Sequence, residues 1–410
     1  MASYAQELVP SAGVLDNILS PMSSDEFVEH YLGQSFLHLQ GTNGKFIALM
    51  PWTKLNQILE EHRLAPPRLR LFQSGREIDA DKYLTQDRLG PRLQAAELTN
   101  LLAQGATLIV DAVDELYGPV HELAVGLERI FRVGVRANLY AGWRTDKGFD
   151  IHFDNHDTVI LQIAGRKHWK VYSPTRLHPL EKGKDVERAQ EPTGEPIWDD
   201  ILKDGDILYL PRGWWHVAYP VDEPSLHLTL GLRNHRGLDL LHWFVNELKN
   251  HAEVRQDIPH MASHDTRAAY TANLRELLFR TWSDDLMDRF LAAADANAIL
   301  RPHFELPRAA TAEGIAVDRK SHVRLASPRR VEISTKAENG NRRLKSFGKT
   351  SYCSETILPV IARLDDGQSH AVQELIALVP DEAANMINFL QGLVLRGILV
   401  TVANTGTTSA

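Results

Sequence analysis

Between about residues 133 and 233, apolar and polar positions alternate in short runs. The runs are VRANLYAG (135–142), DIHFDN (150–155), TVILQIAG (158–165), KHWKVYSP (167–174), DILYLPRG (206–213), WHVAYP (215–220) and SLHLTLGL (225–232). Period two predicts strands, and turn signals separate them at Ala164-Gly165, Asp204-Gly205 and Arg212-Gly213. Many short strands close together predict an antiparallel barrel or jelly roll. Ahead of them, 24–62 mixes helical stretches with short strands, with Ser23 or Ser24 capping SSDEFVEHYLG. AAELTNLLAQG (95–105) and LYGPVHELAVGLERIFR (116–132) carry helical spacing, and TLIVDAV between them reads as a buried strand.

After residue 235 the period returns to helical in LDLLHWFVNELKNHA, TRAAYTANLRELLFRTW and SDDLMDRFLAAADANAI. These predict a small bundle, either an intrachain layer or a dimer interface. Residues 306–350 read as a linker with the short strands RRVEIST and RRLKSF. The order helix, helix, helix, strand over 351–410 suits a winged-helix-like module. The domain plan is therefore 1–235, a barrel with an N-terminal α/β elaboration; 236–305, helical; 306–350, a basic linker; and 351–410, winged-helix-like.

The length of 410 residues fits such a multidomain plan, and the one cysteine, Cys353, excludes a disulfide scaffold or a Cys-rich zinc or iron–sulfur site. It fits a reducing cytoplasm. The start of the chain lacks a basic stretch followed by an apolar one, so no signal peptide is expected. No apolar run reaches membrane-spanning length; LQGLVLRGILVTVA is broken by Arg396 and two glycines. A net charge of −8 argues against a globally basic nucleic-acid binder. From 319 to 349 ten Lys/Arg face two acids, Glu332 and Glu338, which suits a solvated face or a patch for RNA or a ribosome. The segment 357–402 holds two arginines, Arg363 and Arg396, which argues against direct DNA binding by the winged-helix-like part.

The candidate chemistry centres on Asp150-Ile-His152-Phe-Asp154. On a strand, residues two apart share a face, so His152 and Asp154 point together into the barrel. His216 follows a Gly turn 62 residues after Asp154, a gap long enough for about four strands to return it beside the pair. Two imidazoles and one carboxylate on one face leave open positions, as in the facial triad of non-haem Fe(II) oxygenases. Lys167 begins a strand and shares its face with Trp169 and Val171. An inward lysine needs an anion: either a structural ion pair or a dicarboxylate cosubstrate. Tyr140 and Thr229 would add hydroxyl donors to the same carboxylate. Ser225, His227 and Thr229 share a polar face; His227 reads either as a neighbour of the metal ligands or as a satisfied barrel histidine. Trp214 and Trp215 read as packing or as a wall of a substrate channel. The pairs Asp146/Asp150 and Asp154/Asp157 suit a cationic side chain.

The stretches Asn138-Leu-Tyr140, His152-Phe-Asp154, Leu161 to Tyr172 and Gly205 to His216 resemble the JmjC/cupin-type 2-oxoglutarate oxygenases. The similarity is greatest to the ribosomal-protein hydroxylase group, whose members hydroxylate arginine or histidine. It extends to the order of barrel, helical dimerisation segment and winged helix. The resemblance implies an α+β double-stranded β-helix, with Fe(II) on His152, Asp154 and His216. It implies O2 as co-reactant and 2-oxoglutarate held by Lys167, Tyr140 and Thr229. Asn138 would lie close to the cosubstrate or substrate. The implied partner is a protein or peptide substrate, such as a ribosomal protein, and the implied assembly is a homodimer. The chain departs from the group in the loop before the His-x-Asp pair, where Trp143, Arg144, Asp146 and Asp150 replace small Gly/Pro-rich residues. Alternative substrates are a peptide natural product, a tRNA base or a methyl-lysine. Alternative classes are a cupin isomerase or dioxygenase without 2-oxoglutarate, and a non-catalytic metal-binding cupin sensor.

Overall fold

Alternation along Ile207–Leu210 sorts its side chains into two cores. Ile207 and Tyr209 join a large core with the helical residues Leu15, Phe27, Ile58, Leu123 and Leu127, while Leu208 and Leu210 meet Ile160, Trp169 and Leu202. The same sorting along Asp157–Ala164 sends Val159, Leu161 and Ile163 to the first core and Ile160 to the second. A strand that is apolar on both faces therefore lies between a helical layer and a second sheet.

The computed structural model describes residues 13–402 apart from 145–147, 181–193, 312–313, 335–336 and 338. They divide into two units, Met1–Asn234 and His235–Ala410. In the first, an eight-stranded antiparallel sheet runs in the order Leu37–Leu39, Ile207–Leu210, Asp157–Ala164, Ser225–Leu232, Val135–Gly142, Thr107–Val110, Leu69–Gln73, Arg76–Glu77. A three-stranded sheet places Lys167–Tyr172 between Trp198–Leu202 and Trp215–Pro220. This is the jelly roll expected from the period-two runs, in the double-stranded β-helix form that the resemblance implies. The helix Gly118–Phe131 buries Val120, Leu123, Ala124 and Leu127 at helical spacing and ends at Arg132 in the left-handed region.

The Ala164-Gly165 turn connects the two sheets, with Gly165 at φ +66°. A Cβ there would lie 2.0 Å from the Pro224 carbonyl oxygen. Both the φ and the contact oppose any side chain. Gly165→Ala is expected to destabilise this unit by about 3 kcal/mol, seen as an earlier melting transition in calorimetry.

In the second unit, the helices Gly237–Glu247, His264–Thr281 and Leu286–Ala296 contribute Phe244, Leu277 and Leu286 to a small core. Further on, His322–Leu325 pairs with both His370–Ala371 and Leu399–Val402, beside the helices Leu358–Leu364, Val372–Ala377 and Ala383–Leu395. The short strands expected in RRVEIST and RRLKSF over 306–350 form, within a larger packed element than a linker. Glu332–Ile333, Asn341–Ser346 and Lys349–Ser354 form an antiparallel sheet, and Val317, Val323, Leu325 and Leu344 enter one core with Val360 and Leu390. Arg329 is buried against Asp295, N to O 3.5 Å, and Arg342 reaches Glu355 at 2.7 Å, so part of the positive run is neutralised internally. Lys336 and Glu338 of that run lie outside the described residues.

Candidate metal centre

The expected strand over 150–155 does not form. Here His152 makes an isolated bridge to His216: the His152 N–H donates to the His216 carbonyl at 3.1 Å, and the His152 carbonyl accepts the His216 N–H at 2.7 Å. The backbone of this stretch serves to hold the His216 segment: the Gly213 N–H donates to the Asp154 carbonyl at 3.0 Å. Alternation survives locally. Phe153 is buried edge-on against Trp215, 4.9 Å between rings, which turns His152 and Asp154 the other way.

Side-chain donor atoms of His152, Asp154 and His216 lie within 4.8 Å of one another. His216 Nε2 is 3.9 Å from Asp154 Oδ2. The second nitrogen of each ring is committed elsewhere: His152 Nδ1 lies 2.8 Å from the Asp150 carbonyl and His216 Nδ1 3.1 Å from the Trp214 carbonyl. A carbonyl only accepts, so each Nδ1 carries the proton and each Nε2 presents a lone pair toward the shared space. Two neutral imidazoles and a carboxylate fit a divalent metal and leave coordination positions free.

The turn before His216 is held by Asp157, which is buried. It accepts the Tyr209 hydroxyl at 2.6 Å, the Arg212 N–H at 2.9 Å and the Asn234 amide at 2.7 Å. This corrects the pairing of Asp154 with Asp157 as an acidic patch. The Asp157 carboxylate is spent inside the fold, and Tyr209 is pushed well above the usual phenol range, first by burial and then by that carboxylate.

A cavity of about 460 Å³ opens from the triad, and Lys167, Tyr140, Thr229 and Asn138 line it together with His152, Asp154 and His216. Register explains the convergence. In antiparallel pairing, residues opposite each other share a face. Arg70 opposes Ile109, Ile109 opposes Tyr140, Tyr140 opposes His227, and Thr229 opposes both Asn138 and Ile160. Lys167 enters from the smaller sheet, whose strand is buried at alternate residues beginning with it. Among the described residues Lys167 makes no hydrogen bond or ion pair; its ammonium sits 5.9 Å from the Trp169 ring centroid. Burial pulls its pKa down to about 8. Burial, with the Asp154 charge second, raises Tyr140 above the usual phenol range, so its hydroxyl stays a donor. The Asn138 amide oxygen accepts the Ala112 N–H at 2.9 Å, which fixes that side chain at the cavity wall.

The loop before the triad differs from expectation. Phe149 and Asp150 line the cavity, whereas Trp143 packs on Trp52 at 5.6 Å and Arg144 pairs with Asp222 at 3.2 Å. Asp146 lies outside the described residues. Trp215 is fully buried, its indole N–H donating to Thr175 at 2.9 Å, and Trp214 leans on Phe36 at 5.7 Å, so both are packing residues. Sequence reading missed Arg70 and Asp111, which join across the cavity wall at 2.5 Å. The alternation of LRLFQ was the available signal.

Residues 121–240 match the family model of the JmjC domain. It is 30% identical over 272 residues to the bifunctional lysine-specific demethylase and histidyl-hydroxylase NO66 of Dictyostelium discoideum, covering 63% of this chain and 51% of that one. It is 26% identical over 310 residues to NO66 of Aedes aegypti, covering 71% and 48%. The chain thus spans about half the length of these curated relatives. Its fold matches the ribosomal oxygenase YcfD of Escherichia coli with a TM-score of 0.58 at 16% identity, covering 93% of this chain and 99% of that one. A further YcfD structure, in complex with cobalt and 2-oxoglutarate, matches with the same score. Among the described residues, no helix is long and apolar enough to cross a membrane.

Proposed function

We propose that this JmjC protein is an Fe(II)- and 2-oxoglutarate-dependent oxygenase that hydroxylates an arginine or histidine side chain of a protein, ribosomal in origin. The observation carrying the proposal is one cavity that joins three convergent metal donors to a buried lysine without a carboxylate partner among the described residues. His152, Asp154 and His216 would hold Fe(II). Lys167 would hold the distal carboxylate of 2-oxoglutarate, with Tyr140 and Thr229 donating to it and Asn138 bordering the same space. Bound there, iron and cosubstrate would supply the oxidising chemistry with O2. The chain's own contribution is orientation and exclusion of water. The two Nδ1–H bonds fix the imidazoles, Asp157 fixes the His216 turn, and the jelly-roll walls keep the reacting atoms dry.

The NO66 name supports a second reading, removal of a methyl group from lysine, which uses the same residues. We further propose a homodimer through the helical segment, where Leu241, Val245, Phe279 and Trp282 are exposed, and a cytoplasmic setting, in keeping with the buried free thiol of Cys353.

The test loads purified protein with Fe(II) anaerobically, then adds 2-oxoglutarate, air and the ribosomal proteins of its host, with His152→Ala in parallel. Intact-protein mass spectrometry should show one ribosomal protein gaining one oxygen with the wild type alone. Loss of a methylene from a methylated substrate would favour demethylation. Succinate without any modified protein would overturn the ribosomal substrate, and no succinate with any class of substrate would overturn the oxygenase.

A further inference from the structure

The role of His227 is open in the reading above. Its ring stacks on Tyr140 with centroids 4.9 Å apart and planes within 5°, and Trp169 meets it edge-on at 5.7 Å. The residue is 3% exposed, and neither ring nitrogen makes a hydrogen bond among the described residues. Nδ1 is sealed from solvent. Burial, with the Lys167 charge second, pushes His227 well below the usual imidazole range. The neutral ring carries one N–H and one lone pair. Nδ1 is sealed from solvent while the ring lines the cavity, so an N–H that is to meet a ligand belongs at Nε2, with the lone pair at Nδ1.

An unpaired polar group at such a site costs about 1–3 kcal/mol, and a phenylalanine would fill the same stack without that cost. Lys167, the neighbour across the cavity wall, has the same unmet need for an acceptor. A charged imidazole beside that ammonium would be repelled, whereas a neutral one can share its partner. A carboxylate offers about four lone-pair sites, enough for the lysine, the phenol and a further N–H.

We infer that His227 is a positioning residue for 2-oxoglutarate, its Nε2–H donating to the carboxylate that Lys167 holds. The inference rests on the proposed function. The stack on Tyr140 fixes the ring before the ligand arrives, so four donors from three strands, Tyr140, Lys167, His227 and Thr229, converge on one group. They set how far the dicarboxylate extends toward His152 and His216.

The experiment is anaerobic calorimetric titration of 2-oxoglutarate into protein loaded with Mn(II). His227→Phe keeps an aromatic on Tyr140 and removes the N–H. It is expected to weaken 2-oxoglutarate about 10- to 100-fold, the worth of one hydrogen bond to a charged group, with Mn(II) affinity and apo melting temperature unchanged or raised. His227→Gln restores an N–H donor and is expected to recover affinity to within about threefold of wild type. Wild-type affinity in His227→Phe would overturn the inference. So would a His227→Gln protein that folds, binds Mn(II) normally and remains as weak as His227→Phe. Failure of the wild type to bind 2-oxoglutarate would overturn the functional reading itself.

Discussion

Asp154→Ala is expected to bind Mn(II) or Co(II) more than about a hundredfold more weakly than wild type and to form no succinate. The carboxylate is one of three donors and the one that brings negative charge to a dication. Changes to residues that merely orient metal ligands already cost about 10- to 100-fold in affinity or activity, so loss of a ligand should cost more. The neighbouring acids offer no replacement. Asp157 is occupied by Tyr209, Arg212 and Asn234, and the Asp150 carboxylate is not among the convergent donor atoms of the triad. The fold should survive, because Asp154 supports the Gly213 turn through its backbone carbonyl, which alanine retains. Metal titration, succinate by NMR and a melting curve on one preparation check this together. Near-normal succinate formation would refute the triad.

The barrel strands were legible because period two is strong wherever a strand has one face in the large core. Trp198–Leu202 was not: it is an edge strand that carries two consecutive acids, Asp199 and Asp200, in place of alternation, and Asp199 pairs with His168 and Lys170. The triad was legible by residue type and spacing, yet its local structure was not. His152 sits on a bridge whose partner lies 64 residues on, and no local pattern reports that. The cavity wall supplied by Leu69–Gln73 was hidden for a similar reason. Arg70 and Phe72 face the site because that strand extends the barrel sheet through Thr107–Val110, a long-range pairing. Lys167 was placed by alternation, but whether it had a structural partner could be decided in three dimensions alone.

Lys167→Met is expected to stabilise the ligand-free protein while reducing 2-oxoglutarate affinity more than about a hundredfold, because breaking a buried charge pair costs about 3–5 kcal/mol. The displacement of Lys167 from 10.5 to about 8 corresponds to about 3 kcal/mol held against the charged form by burial. A lysine whose folded pKa lies below its unfolded value binds fewer protons in the folded state. The cost is therefore complete below about pH 8 and fades as pH rises toward 10.5. The wild-type apoprotein should gain stability across that window relative to Lys167→Met, and at pH 7 the variant should be about 2–3 kcal/mol the more stable. Ligand affinity should run the opposite way. The carboxylate needs the ammonium, so wild-type 2-oxoglutarate binding should weaken as pH rises above about 8. Melting curves and calorimetry from pH 7 to 10 separate the two slopes. A variant less stable than wild type at pH 7 would make Lys167 a structural ion-pair partner. The expected result makes the lysine a charge that the fold holds at its own expense until a dicarboxylate neutralises it.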